Sequence, residues 1–409
     1  MTTSRSSAFV DSLVAFGGTS TTDRVLYVGR PNIPDREAVL ARVGAALDRK
    51  WLSNDGPMVR EFEEVIEARL GVRHCVAVAN ATQGLSITAA ALGLHGEVVV
   101  PAFTFVATAH SLAWLGITPV FCDIDRRSHQ IDPAAVEAAI TERTTGILAA
   151  HTWGRPCDID ALDAVAARHG LQLFFDAAPA YGASYQRTSI GNFGRAEILS
   201  FHATKIVNCG EGGAILTNDD EIAAAARLMR TFGFADTDLV TSIGTNAKMS
   251  ELAAAMGICS LSEFDHYLDV NVRNFEQYTS ALADVPGITV VPCEPNTGIN
   301  YNNVVIEVDP QVAGIHRDLM LEMLTAEQIL VRRYFWPGCH RMEPYRSLRP
   351  PTDTDFPVTD EVAARVLSLP TGTGVEAGDI ERVCHLIAGL VEHGAEITRR
   401  APAGTGSPP

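Results

Sequence analysis

Between His74 and Thr231 the chain alternates short apolar runs with helix-length segments, and this alternation restricts the fold more than any other feature of the sequence. HCVAVAN (74–80), EVVVPAF (97–103), TPVFCDID (118–125), TGILAAHTWG (145–154), LQLFFDAA (171–178), AEILSFHA (196–203) and GAILTN (213–218) read as strands. Helical patterns fall between or after them at 84–94, 107–115, 133–140, 159–169 and 221–231. Such alternation builds βα units. The expected fold class is α/β, a mostly parallel sheet with helices on both faces. The last two strands are joined by a short loop, which predicts one antiparallel member.

The pattern changes after a long helical stretch at 250–282. GITVVP (287–292), NNVVIEV (302–308) and ILVRRYF (329–335) read as strands, and 315–327 and 379–393 as helices, the last with Asp379 as its cap and Gly394 as its stop. The expected organisation is an N-terminal arm (1–30), a large domain (31–265), a smaller C-terminal α+β domain (266–400) and a disordered tail, APAGTGSPP (401–409).

Composition removes several function classes. A net charge of −17 disfavours nucleic acid and anionic membrane, which need clustered Lys and Arg. The eight cysteines are scattered without CxxC or Cys/His ligand spacing, so reduced thiols and no metal are expected. No apolar run is long enough to span a membrane and the first residues lack a signal-peptide pattern, so a cytoplasmic protein is expected.

Polar residues at strand ends carry the chemistry, because open α/β sheets bind ligands at the carboxyl ends of their strands. Asp176 follows LQLFF, where a buried carboxylate needs a partner; a helix cap satisfies that need as well as a ligand does. Lys205 follows a strand in SFHATK, a position equally open to a surface lysine. The turn Asn80–Gly84 leads into a helix whose N-terminus can take a phosphate, yet it is neither a dinucleotide nor a P-loop fingerprint. GEGG (210–213) reads as a permissive turn, and Phe103 either packs in the core or covers a planar ligand. Together they form the set that pyridoxal phosphate (PLP) needs: a Schiff-base lysine, a carboxylate for the ring nitrogen, a phosphate cradle and an aromatic cover.

The order of segments resembles the nucleotide-sugar aminotransferases of PLP fold type I. The resemblance rests on WLSNDGPMVREFE (51–63), VPAFTFVATAHSL (100–112), TPVFCDID, HTWGRPCDIDAL (151–162), FFDAAPAYGA (174–183), SFHATK, GEGGAILTND (210–219), FGF (232–234), GTNAKMSELAAAMG (244–257), RRYFWPGCHRMEPY (332–345) and LSLPTG (367–372). YVGRPN (27–32) and GIHRDL (314–319) look like the dTDP-4-keto-6-deoxyglucose 4-aminotransferases of antibiotic sugar pathways.

The resemblance implies that Lys205 carries PLP as a Schiff base and shuttles the proton, with pyridoxamine phosphate as the intermediate cofactor form. It implies that Asp176 pairs with the ring nitrogen, that Ala81, Thr82 and Ser200 bind the phosphate, and that Phe103 stacks on the ring. Asn246 would reach the phosphate of a neighbouring subunit, making a homodimer with shared sites, and Lys248, Tyr334 and His340 would meet the nucleotide sugar. The implied reaction takes an amino group from L-glutamate to the 4-keto carbon of dTDP-4-keto-6-deoxyglucose. A 3-keto aminotransferase, a PLP-dependent sugar dehydratase and a non-catalytic PLP-binding regulator are the alternatives; retention of Lys205 argues against the dehydratase. One departure is Pro179, where relatives carry His or Gln near the cofactor. Proline donates no hydrogen bond there.

Overall fold

The computed structural model describes residues 3–20, 24–293, 297–348 and 356–401. The tail expected to be disordered lies almost wholly outside them. The central sheet has seven strands: β1 (His74–Val78), β2 (Glu97–Pro101), β3 (Thr118–Cys122), β4 (Thr144–Ala150), β5 (Gln172–Asp176), β6 (Glu197–Ser200) and β7 (Gly213–Thr217). They lie in the order β1–β7–β6–β5–β4–β2–β3. The run from β6 to β3 is parallel throughout. Only β7 opposes its neighbours, β1 and β6, because the connection from Ser200 to Gly213 holds turns rather than a crossover helix.

The strands are apolar on both faces because both faces are covered. Phe174, Ile198 and Ile215 fill one core, and their chain neighbours Phe175, Leu199 and Leu216 fill the other. The covering helices include α1 (Arg36–Arg49), α2 (Pro57–Leu70), α3 (Ala81–Ala91), α4 (Val106–Ala113), α5 (Ile159–His169) and α6 (Asp220–Met229). The 250–282 stretch is two helices, α7 (Glu251–Ser262) and α8 (Phe264–Leu282), parted at Glu263. At the head of α7, fully buried Glu251 accepts the Met58 and Val59 N–H groups at 3.0 Å each, so a carboxylate closes the positive end of α2.

The second unit has an antiparallel sheet of β8 (Ile288–Val290), β9 (Val304–Val308) and β10 (Val366–Leu369), with β9 in the middle. Its helices include α9 (Pro357–Arg365) and α10 (Ala377–Glu392). Two local expectations need correction. Asp379 is not the cap of α10: Glu376 is, and Asp379 closes a capping box by accepting the Glu376 N–H at 3.0 Å. In ILVRRYF only Ile329–Leu330 is strand, since Trp336 and Gly338 donate back to the Arg333 and Phe335 carbonyls and form turns around Pro337.

The N-terminal arm belongs to this second unit. Leu26–Tyr27 pairs in parallel with Ile329–Leu330, and Val10, Leu13 and Leu26 pack into the same core as Ile306, Leu367, Ile380 and Ile387. Two carboxylates bolt the units together. Asp123, just past β3, accepts the Val358 N–H at 3.0 Å, the Thr359 N–H at 2.8 Å and the Thr359 hydroxyl at 2.7 Å, and so caps α9 from across the boundary. Glu307 on β9 accepts Arg126 Nη2 at 2.6 Å and lies 2.9 Å from His129 Nε2. Burial opposes its charge, yet His129 and Arg126 hold the Glu307 carboxyl down at about 2. Among the described residues no helix is long and apolar enough to cross a membrane, and no group of three His, Cys, Asp or Glu has metal-site geometry.

Candidate active site

Asp176 and Ser200 end adjacent parallel strands, so they reach the same edge of the sheet. Gly213 begins the reversed strand β7 and pairs with both Ser200 and Val78, which brings the turn after β1 to that edge too. The antiparallel strand thus joins the β6 end to the head of α3.

Asp176 is 6% exposed. No helix follows it, which rules out a helix cap. Its Oδ2 accepts the Thr108 hydroxyl at 2.7 Å and its Oδ1 accepts the Ala178 N–H at 3.1 Å. Thr108 has spent its proton on the carboxylate, so Thr104, 2.9 Å away, donates to Thr108. The result is a one-way relay of donated hydrogen bonds, Thr104 to Thr108 to Asp176.

Lys205 is half-buried in the turn after β6. Burial lowers its pKa, and the Asp176 carboxylate draws it part of the way back. Its loop is pinned on both sides. Asn302 Nδ2 donates to the Thr204 carbonyl at 3.3 Å, and Asn32 Nδ2 to the Ile206 carbonyl at 3.0 Å.

Asn80 caps α3, its Oδ1 accepting the Gln83 N–H at 3.0 Å. The Ala81 and Thr82 N–H groups ahead of that bond head the helix, and Thr82 is exposed. A Cβ on Gly213 would come 2.7 Å from Ala81 N and 2.7 Å from the Asn80 carbonyl carbon. Glycine at 213 therefore answers a close backbone approach at the helix head, a purpose beyond the permissive turn read from GEGG. Ser200, 7% exposed, completes this end.

Two expected contacts are corrected. Phe103 is fully enclosed, its ring edge-on to His129, Trp153 and Phe335 at 6.1, 5.8 and 5.4 Å, and no face remains for a ligand. Phe105, two residues on and 55% exposed at the N-cap of α4, is the aromatic left open near this edge. His340 is 1% exposed, with Nε2 3.1 Å from Asp360 Oδ1 and its ring against Phe356; it turns into the fold and away from solvent.

Asn246 is exposed, accepts Lys248 Nζ at 2.6 Å, and its carbonyl is 3.4 Å from Gln83 Nε2 of α3. Lys248 Nζ also lies 4.7 Å from the Phe232 ring centre. Tyr334, 36% exposed, sits beside Phe335. Thr104, Thr108 and Asn300 were not singled out in the sequence. Asn300, fully buried, donates to the Pro179 and Tyr181 carbonyls at 2.7 and 2.9 Å, so the loop after Asp176 is held by its backbone, with no side-chain donor needed at Pro179. The available signal for Thr108 was a hydroxyl in the first turn of the helix that follows a strand end.

The DegT/DnrJ/EryC1/StrS aminotransferase family matches residues 34–388. The chain is 33% identical over 371 residues to the dTDP-4-amino-4,6-dideoxy-D-glucose transaminase of Escherichia coli, covering 90% of this chain and 99% of the relative. It is 35% identical over 341 residues to the GDP-perosamine synthase of Caulobacter vibrioides, covering 82% and 91%. The crystal structure of DesI in the presence of its TDP-sugar product superposes with a TM-score of 0.92 at 48% identity, over 96% of this chain and 99% of that one. With the match running almost end to end, the chain belongs to the DegT/DnrJ/EryC1/StrS aminotransferase family.

Proposed function

We propose that this aminotransferase holds pyridoxal phosphate at Lys205 and moves the amino group of L-glutamate to the 4-keto carbon of dTDP-4-keto-6-deoxyglucose, yielding dTDP-4-amino-4,6-dideoxyglucose. The observation that carries the reading is the single edge on which Lys205, the Thr108-bound Asp176 and the Gly213-spaced head of α3 converge. The donor set fits the cofactor. A primary amine of lowered basicity suits an aldehyde, a relay-fixed carboxylate suits a protonated ring nitrogen, and a helix head suits a phosphate. Ala81, Thr82 and Ser200 would take the phosphate.

When bound, the cofactor supplies an electron sink for the carbanion formed at the reacting carbon. The chain supplies the rest. Lys205 Nζ, made easier to deprotonate by burial, would take a proton from the donor's α-carbon in the first half-reaction and give a proton to C4 of the sugar in the second, each transfer being closed within its own half by the opposite move on the cofactor side. Asp176 would hold the ring-nitrogen proton, and its carboxylate is positioned by Thr108 and the Ala178 N–H. Likeness to the Escherichia coli transaminase and to DesI supports the dTDP sugar and the 4-position.

A homodimer is part of the reading. Around Asn246 and Lys248 stand the exposed apolar side chains Phe232, Phe234, Leu239, Val240 and Ile243, the last 94% exposed, as expected of a surface that a second copy covers. Asn246 would then reach the partner's phosphate, while Lys248 and Tyr334 would meet the nucleotide sugar.

Incubation with PLP, L-glutamate and dTDP-4-keto-6-deoxyglucose, followed by mass spectrometry and NMR, is expected to show the 4-amino sugar. Amination at C3 would overturn the position. Absence of any spectral response of the bound cofactor to amino donors would return the non-catalytic binding protein. The phosphate cradle has its own check. Gly213→Ala is expected to weaken PLP binding at least about tenfold, or roughly 1.4 kcal/mol, in a fluorescence titration, because the added methyl strikes Ala81 N and the Asn80 carbonyl carbon. Unchanged affinity would remove the head of α3 from the phosphate site.

A further inference from the structure

We infer that a small polar recess beside the Lys205 loop receives the α-carboxylate of the amino donor, with Arg30 as its cation and Ser368 as its buried hydroxyl; the inference rests on the aminotransferase reading above. The recess has a cavity volume of about 10 Å³ and lies where three parts of the chain meet. The arm contributes Gly29 and Arg30, the catalytic loop contributes Thr204, and the C-terminal unit contributes Asn302, Asn303 and Ser368. Its walls are tied to the lysine loop. Asn302 Nδ2 donates to the Thr204 carbonyl, and Gly29 lies so close to Thr204 that a Cβ would fall 2.8 Å from its Cγ2.

Two independent observations point to an anion. Ser368, 1% exposed, stands on the face of β10 opposite Leu367 and Leu369, which fill the core of the C-terminal unit. Its Oγ has no hydrogen-bond partner among the described residues, a penalty that a ligand would relieve. Arg30, in turn, makes no ion pair with a described carboxylate, whereas Arg24, Arg126 and Arg333 are paired with Glu376, Glu307 and Asp318. Its stem is seated on Gly374, where a Cβ would come 2.5 Å from Arg30 Cδ, and its guanidinium lies 5.8 Å from the Tyr27 ring centre.

An exposed cation with no carboxylate partner, its Nη1 3.5 Å from the Gly374 carbonyl, beside an unmet buried hydroxyl is the chemistry of carboxylate recognition. In an amino acid the carboxylate is two bonds from the amine, so anchoring it next to Thr204 presents that amine at Lys205.

The test uses the holoenzyme and follows cofactor absorbance as L-glutamate is varied. Arg30→Met is expected to raise the half-saturating L-glutamate concentration about 30- to 100-fold and Ser368→Ala by a smaller factor, with the half-saturating concentration of the nucleotide sugar unchanged. Glutarate, which cannot react, should lose potency as a competitor of L-glutamate in Arg30→Met by the same factor, and Arg30→Lys should recover part of the loss. Wild-type dependence on L-glutamate and glutarate in both variants, or equal weakening toward both substrates, overturns the inference. A wild-type protein that responds to no amino donor sinks the aminotransferase reading itself, and this inference with it.

Discussion

Lys205→Ala protein is expected to form the amino sugar at least about 10⁴-fold more slowly than wild type, the loss of both the Schiff-base amine and the proton carrier. Nothing else at the site offers a second carrier of the right kind. Asp176 is committed to Thr108 and the Ala178 N–H, and His202, the nearest imidazole in sequence, is exposed and lies 2.9 Å from the Thr204 hydroxyl through Nδ1. The fold should be unaffected, because Lys205 is half-buried in a turn whose backbone is held by Asn302 and Asn32. The variant is therefore expected to melt with the wild type and to retain pyridoxamine phosphate, which needs no covalent bond. Product mass and thermal melting read these outcomes together. Turnover at the wild-type rate would remove Lys205 from the reaction.

Asp176→Asn should be the next most damaging change. The amide keeps the shape but loses the charge, and its NH₂ must face one of two donors, the Thr108 hydroxyl or the Ala178 N–H. The rate is expected to fall about 10²- to 10³-fold, the scale of losing one preorganised electrostatic group. The sign of a second effect is fixed by the geometry. Asp176 raises the Lys205 pKa against the depression caused by burial, so removing its charge lets that pKa fall further. In a spectroscopic pH titration of the loaded enzyme, the transition assigned to Lys205 should move to lower pH. A shift to higher pH would show that the two groups do not interact as described.

Much of this was legible because strand ends are easy to find. A buried run such as LQLFF or AEILS cannot be mistaken for a surface segment, and the polar residue that terminates it must face something. That logic singled out Asp176, Lys205 and the turn at Asn80, while Ser200 was named by the resemblance. At Phe103 core packing, one of the two readings of the residue, is what the structure shows; the stacking role came from the resemblance, and Trp153 and Phe335, from distant segments, close over the ring. His340, named only by the resemblance, is turned inward because Asp360 and Phe356 approach it from another helix and its N-cap. Gly213 was read as a loose turn because the Asn80 backbone it accommodates is 133 positions earlier in the chain and only a reversed strand brings it near. Asp379 was misplaced by one turn because a capping box holds two acidic residues and the sequence alone does not rank them.

The arm's place in the C-terminal core bears on how the polypeptide is made. Val10, Leu13 and Leu26 leave the ribosome well before Ile380, Ile387 and Leu390, which belong to the surface they cover. Once Thr217 has emerged the sheet of the large unit has all its strands, while the arm waits, unpaired and apolar, for α10. A nascent chain stalled before α10 would present that arm to chaperones.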